Sequence, residues 1–316
     1  MPNDPHRPDP LDCSSAGTAS RAAQHSIFFD SPAELAAYTR HDRLTATGPL
    51  LLARRGGYHP DGPWPCSALE SAQNVLATRP RTMIEIDLRS TVDGRCVVLH
   101  EPVMGHGSTG VGPVSEQSAD YVLSQHLVDN YGEVTRCPVR EAGEFLTWAV
   151  LAGAVLWLEV HHVAPEVVVE LVRTHRAESQ VVVGVQGLTQ LAVYRRIAPD
   201  LVYFVPSHPD GLATAEDVRR EVPDIGRVIG FAGHYVPDME TSLRMRGWDV
   251  PMRLELHRYD ENLPADALDP HYYRRAVETG FGILSTCHYR EASDLLGLPG
   301  WAPTSGSRHG RGLSRH

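Results

Sequence analysis

The sequence predicts an α/β fold, a TIM-type (β/α)8 barrel, and three observations carry that expectation. Eight short β-rich runs alternate with amphipathic stretches at the interval of βα units. The 316 residues exceed the ~250 that such a barrel takes. The competing open, doubly wound sheet needs a glycine-rich dinucleotide loop after its first strand, and Arg54-Arg55-Gly56-Gly57 lacks that spacing.

Residues 1–25 are polar and proline-rich without the apolar core of a signal peptide, and read as a tail. The apolar run 50–54 is the first strand, and 67–77, opening on the N-capping type Ser67, the first helix. The second strand, 83–88, is followed by 89–140, too long for a simple connection and carrying its own apolar run from Cys96 to Leu99. This stretch reads as an insertion, and insertions after a barrel strand sit over the C-terminal face, where sites of this fold are built. Helix 139–151, strand 155–161 and helix 165–175 come next, the last opening on Pro165. Strands 181–185, 201–205 and 228–231 then alternate with helices 188–197, 215–221 and 237–246. Strand 252–257, helix 270–278, strand 282–285 and helix 290–296 complete eight pairs. The barrel domain is thus expected over 26–298, and 299–316, mostly Gly, Ser, Arg and His, reads as a second tail.

A hydrophobic fraction of 42% excludes a wholly disordered chain, and a net charge of −10 disfavours a nucleic-acid binder, which needs a basic footprint. A small phosphorylated substrate needs only a local group of arginines. All 29 cationic side chains are Arg, so no Schiff-base lysine is available. The longest apolar run, 148–158, falls short of the roughly 20 residues of a membrane span, and Glu159 follows it; no membrane insertion and a cytoplasmic location are expected. The five cysteines are scattered, without metal-ligand spacing or the pattern of a disulfide framework. Oligomeric state cannot be read from the chain.

Alternation along Met83-Ile84-Glu85-Ile86-Asp87-Leu88 places Glu85 and Asp87 on one face of a strand near its C-terminal end. Two carboxylates there repel, and an apolar strand tolerates them only if a cation or hydrogen-bond donors neutralise them. Leu158-Glu159-Val160-His161 and Leu254-Glu255-Leu256-His257 repeat the device with an acid and a histidine, so three strands send acids toward one mouth. Converging oxygens without thiolates favour a hard divalent ion, Mg²⁺, Ca²⁺ or Mn²⁺, over structural zinc. Pairing with rim arginines competes evenly for Glu85 and Asp87 alone; Glu159 at the same height makes a metal held by all three the better reading. Glu255 and His257 are additional pocket residues.

Arg54 and Arg55 precede Gly56-Gly57, a turn that lets backbone approach a ligand while guanidinium groups grip a phosphate. A solvated surface turn is the commoner origin of such a doublet. His100, closing Cys96-Val97-Val98-Leu99, is placed at the edge of the site. With 17 histidines in the chain, His59, His106, His161, His208, His234, His257 and His288 cannot all be functional.

The segments Leu51 to Gly57, Glu85-Ile86-Asp87-Leu88-Arg89-Ser90-Thr91-Val92-Asp93-Gly94 and Val97-Val98-Leu99-His100-Glu101-Pro102 resemble the glycerophosphodiester phosphodiesterase family. Ser108-Thr109-Gly110-Val111-Gly112-Pro113-Val114, Val139 to Trp148, Leu158-Glu159-Val160 and Ile283-Leu284-Ser285-Thr286 follow in the family's order. The resemblance spans 50–296 and implies a TIM-type barrel in which a divalent ion on three carboxylates activates a phosphodiester while two histidines do acid–base or nucleophilic work. Carried over by position, Glu85, Asp87 and Glu159 hold the ion, Arg55 contacts phosphate and His100 is the second catalytic histidine.

The first family histidine does not carry over: where the family has His-Arg-Gly, this chain has Arg54-Arg55-Gly56, and arginine cannot accept a proton. Pro65-Cys66-Ser67 replaces Pro-Glu-Asn, His161 replaces a lysine beyond the third metal acid, and Thr286-Cys287-His288-Tyr289 replaces Thr-Asp-x-Pro. Three readings fit. In the first, a phosphodiesterase uses His161 or His59 for the missing proton transfer, with Arg54 stabilising charge. The second is a repurposed metal-dependent cyclase, lyase or transferase, and the third a catalytically silent binder of phosphorylated ligands. Retaining three costly acids favours an enzyme.

Overall fold

The computed structural model describes residues 27–60, 62–206, 214–234 and 236–298, without the side chains of His257 and Arg258. The expected tails and His208 lie outside the described residues. The eight barrel strands are β1 (Leu50–Ala53), β2 (Met83–Ser90), β3 (Leu156–His161), β4 (Val181–Gly184), β5 (Val202–Val205), β6 (Val228–His234), β7 (Met252–Glu255) and β8 (Ile283–Thr286). Each is parallel to the next, and β1 pairs with both β2 and β8, which closes the sheet into a TIM-type (β/α)8 barrel.

The strands are near-continuous apolar runs because both faces are covered. Outward residues such as Ile84, Ile86, Leu156 and Leu158 pack with helix residues Val75, Phe145, Leu146 and Val168. Inward Leu50, Leu52, Met83, Trp157, Val182, Phe204, Phe231 and Ile283 form a second cluster inside the barrel. That interior is closed at its floor by α1 (Pro32–Thr39) and α2 (His41–Thr47), which contribute Leu35, Ala36 and Leu44. The sequence reading left this pair unassigned: both helices are short, and their few apolar positions make no strong stripe. Ser31 caps α1 by accepting from the Glu34 N–H, with Pro32 opening the first turn.

After β2 the chain forms the inserted segment. Cys96–Val98 runs antiparallel to the end of β2 and pairs on its other side with Arg140–Glu141. A separate small core of Val97, Leu99, Met104, Val122, Leu127 and Cys137 holds the segment together. One expectation is corrected here. The strand expected over 252–257 ends at Glu255, and His257 opens a short helix, His257–Asp260, so Glu255 and His257 do not share a strand face. The turn is pinned by Asp260, which accepts from Tyr273 and Thr286. Among the described residues Cys66, Cys96 and Cys287 are free. Among the described residues no helix is long and apolar enough to cross a membrane.

Candidate active site

Directly above the apolar interior, the inward positions of the same strands turn ionisable. On β2, Glu85 and Asp87 follow Met83 on the inner face, and the register sets Glu85 beside Trp157 and Asp87 beside Glu159 of β3. Arg253 and Glu255 share the inner face of β7. A register shift between Phe231 and Gly233 in β6 brings His234 beside Glu255. Arg54 follows β1 at the rim, its amide donating to the Thr286 carbonyl of β8.

Arg253 organises the cluster. Its guanidinium, 1% exposed, lies 4.8 Å from the centre of the Trp157 ring and 4.7 Å from that of Phe204. It donates to Glu159 Oε1 at 2.7 Å, to Glu85 Oε2 at 3.1 Å and to Glu255 Oε1. Arg54 donates to the same Glu85 oxygen at 3.3 Å and to Glu255 Oε1 at 3.1 Å. His161 Nε2 lies 2.8 Å from Asp87 Oδ1, and His234 Nδ1 lies 2.5 Å from Glu255 Oε2. The sequence reading weighed a cation against arginine partners for these acids; guanidinium groups do occupy one oxygen each of Glu85, Glu159 and Glu255. They do not satisfy the cluster. Glu85 Oε1 and Asp87 Oδ2 are buried without a hydrogen-bond partner, and four carboxylates face two arginines.

Burial pushes the Glu85 carboxyl up to about 7, against the pull of Arg54 and Arg253 and with the help of Glu159 and Asp87. Burial acts the same way on Asp87, yet the His161 hydrogen bond and the charges of His100 and His161 hold it below the ordinary carboxylate value. Arg54 is raised: its burial is outweighed by Glu85 and Glu255, so it stays a fixed cation. The donor chemistry suits a hard divalent ion, because two unsatisfied anionic oxygens project from one strand face. Glu85, Asp87 and Glu159 nevertheless do not bring one oxygen each within 4.8 Å of one another; among the described residues only His59, His288 and Glu291 make such a trio.

The remaining predicted residues are spread around this centre. Arg55, in the left-handed region at φ 52, donates to Glu261 Oε1 at 2.7 Å. A Cβ on Gly57 would lie 2.4 Å from Val75 Cγ2 and 2.9 Å from the Ser71 carbonyl, so this glycine is required by helix packing. His100 donates its amide to Ser67 Oγ at 3.0 Å, and its Nδ1 sits 2.9 Å from Glu101 Oε1. His161 lies at the acids, whereas His59 is 2.9 Å from Glu291 Oε2. Sequence reasoning missed Arg253 and left His234 unassigned among the histidines. For Arg253 the signal was present, since it precedes Glu255 by two residues in a strand; for His234 the bulge concealed it.

No family model matches the chain. An uncharacterized protein of Bacillus subtilis (strain 168), YqiK, is 25% identical over 222 residues, 67% of this chain and 86% of its own length. A glycerophosphoryl diester phosphodiesterase from Parabacteroides distasonis ATCC 8503 superposes with a TM-score of 0.75 at 19% identity, covering 89% of this chain and 97% of that one. A putative glycerophosphoryl diester phosphodiesterase from Silicibacter pomeroyi DSS-3 gives 0.62 at 19% identity, over 80% and 95% of the two chains. An Oleispira antarctica phosphodiesterase in complex with the product sn-glycerol-3-phosphate gives 0.60 at 13% identity, over 80% and 99%. These likenesses establish a shared fold.

Proposed function

We propose that the barrel mouth hydrolyses a glycerophosphodiester or a related small phosphodiester with a divalent cation, Mg²⁺, Ca²⁺ or Mn²⁺, held by Glu85, Asp87 and Glu159. The observation that carries this reading is the unbalanced charge: the buried oxygens Glu85 Oε1 and Asp87 Oδ2 have no partner although two arginines already reach the cluster. Leaving buried anionic oxygens unsatisfied is expensive, and a cation removes that cost. When bound, such an ion polarises a phosphoryl oxygen. The phosphodiesterases that share the fold, one of them holding sn-glycerol-3-phosphate, support the substrate class.

The chain's own groups divide the remaining work. Arg54, pinned between Glu85 and Glu255, offers fixed positive charge to a phosphate and takes no proton. With its Nδ1–H donating to Glu101, His100 presents the Nε2 lone pair as the proton-accepting atom. His161 is the proton-carrying group beside Asp87. Arg55 is a phosphate contact once a ligand competes with Glu261 for it. A repurposed cyclase, lyase or transferase is the second reading, favoured by Arg54, a fixed cation paired with Glu85 and Glu255, standing where the resemblance implies a base.

Purified full-length protein incubated with glycerophosphocholine, lysophospholipid or other small diesters, with EDTA or each cation, tests the proposal through identified products. Ion-dependent hydrolysis is expected, falling by about 10²–10⁴ in His100→Ala and lost in Glu85→Ala. Cyclic phosphate as product supports the second reading, and an intact ligand recovered under every condition overturns both. If Arg54→His greatly raises glycerophosphodiesterase activity, the native mouth is not built for hydrolysis.

A further inference from the structure

Beside the mouth, the loop after β1 and the segment after β8 bring together a second group of side chains outside the acid cluster. His59 and His288 are 3% and 0% exposed, their rings 5.3 Å apart and perpendicular within 14° (interplanar angle 76°). His59 Nε2 lies 2.9 Å from Glu291 Oε2, and His288 Nδ1 lies 3.7 Å from the same oxygen. One ligand atom from each of the three falls within 4.8 Å of the others.

The decisive contact is on the far side of His288. Its Nε2 is 2.8 Å from the Leu263 carbonyl, which only accepts, so Nε2 carries a hydrogen. In the neutral imidazole Nδ1 is then a lone pair, buried without a hydrogen-bond partner and aimed at a carboxylate. Two lone pairs facing each other beside two buried imidazoles are stabilised by a cation between them. Carbonyl anchoring of the outer ring nitrogen is also what fixes a metal-binding histidine in its ligating tautomer.

We propose that His59 Nε2, His288 Nδ1 and Glu291 Oε2 form a binding site for a borderline divalent transition metal of the zinc class. Two imidazole nitrogens with one carboxylate suit Zn²⁺, unlike the all-oxygen mouth, which suits harder ions. Three protein ligands leave a fourth position for water or another donor. The ion would staple the first βα connection to the last, across the seam where β1 meets β8. The competing occupant is a proton: burial disfavours the His288 imidazolium, but Glu291 and Asp260 raise its pKa above the ordinary value.

Chelator-stripped full-length protein titrated with Zn²⁺ by calorimetry and with Co²⁺ by absorption separates metal from proton. One saturable equivalent and the intense d–d bands of low-coordinate Co²⁺ are expected. His59→Gln, His288→Gln and Glu291→Gln should each weaken binding by about tenfold or more, whereas Glu85→Gln should leave it unchanged. Absence of a saturable site in the wild-type protein overturns the proposal and leaves the proton as occupant. Undiminished binding in the folded histidine variants overturns it in favour of other histidines of the chain. A thiolate-to-cobalt charge-transfer band overturns the ligand set in favour of Cys287. Should a histidine variant not fold, Glu291→Gln and the wild-type spectrum decide.

Discussion

The floor and the mouth of the barrel are built from the same strands, two residues apart, and obey opposite rules. At the floor Leu50, Leu52, Met83, Trp157 and Phe204 fill the interior and α1 and α2 cover it, so stability there follows from apolar area removed from water. At the mouth Glu85, Glu159 and Glu255 meet Arg54 and Arg253 while Asp87 meets His161, and stability depends on whether each buried charge finds a counter-charge. Arg253 belongs to both: aromatic rings lie against it below and carboxylates above. The contrast teaches that strand alternation fixes which side chains face inward, while the chemistry of the next inward residue decides what the barrel is for at that level.

The largest effect that would break this comparison is at the boundary. Arg253→Met leaves three carboxylates short of a buried partner and should cost about 3–5 kcal/mol by denaturant unfolding near neutral pH. Leu52→Met, one layer down in the apolar interior, should cost under about 1.5 kcal/mol because it conserves the packed volume. Equal costs would mean that the guanidinium acts as filler.

A smaller effect is read from pH. The folded Glu85 carboxyl, at about 7, keeps its proton over a range in which the unfolded chain has released it. The metal-free fold therefore loses stability as pH rises from the ordinary carboxylate range to about 7, by on the order of 2–3 kcal/mol. Glu85→Gln should flatten that slope, and a slope unchanged by the substitution would place the proton elsewhere. The floor carries no such dependence. The smallest expected effect sharpens the separation: Ser31→Ala removes the α1 cap, should cost about 1 kcal/mol by thermal unfolding, and should leave any turnover at the mouth unaltered.

How much of this was legible follows the same division. All eight barrel strands were visible, because strands covered on both faces must be apolar along their length. The acids stood out against that background for the same reason. Arg253 was equally visible by alternation with Glu255, but an arginine is neither a metal ligand nor a proton acceptor, and its pattern alone does not mark it as part of a site. His234 was not legible: it reaches Glu255 only through the extra residue of the bulge, which no periodicity reports. His257 was placed on a strand that ends two residues earlier, at a turn fixed by the distant Tyr273 and Thr286. The floor helices stayed unassigned because their burial depends on the open end of a barrel that must close first.

The Arg253 guanidinium is fixed in place. Locked between Trp157 and Phe204 and shared among three acids, it is a counter-ion that cannot diffuse away. The mouth is thereby already assembled, and an arriving guest meets dipoles and charges that need little rearrangement. The same immobility caps how much positive charge the pocket will welcome, so the chain carries within β7 a built-in limit on what can settle there.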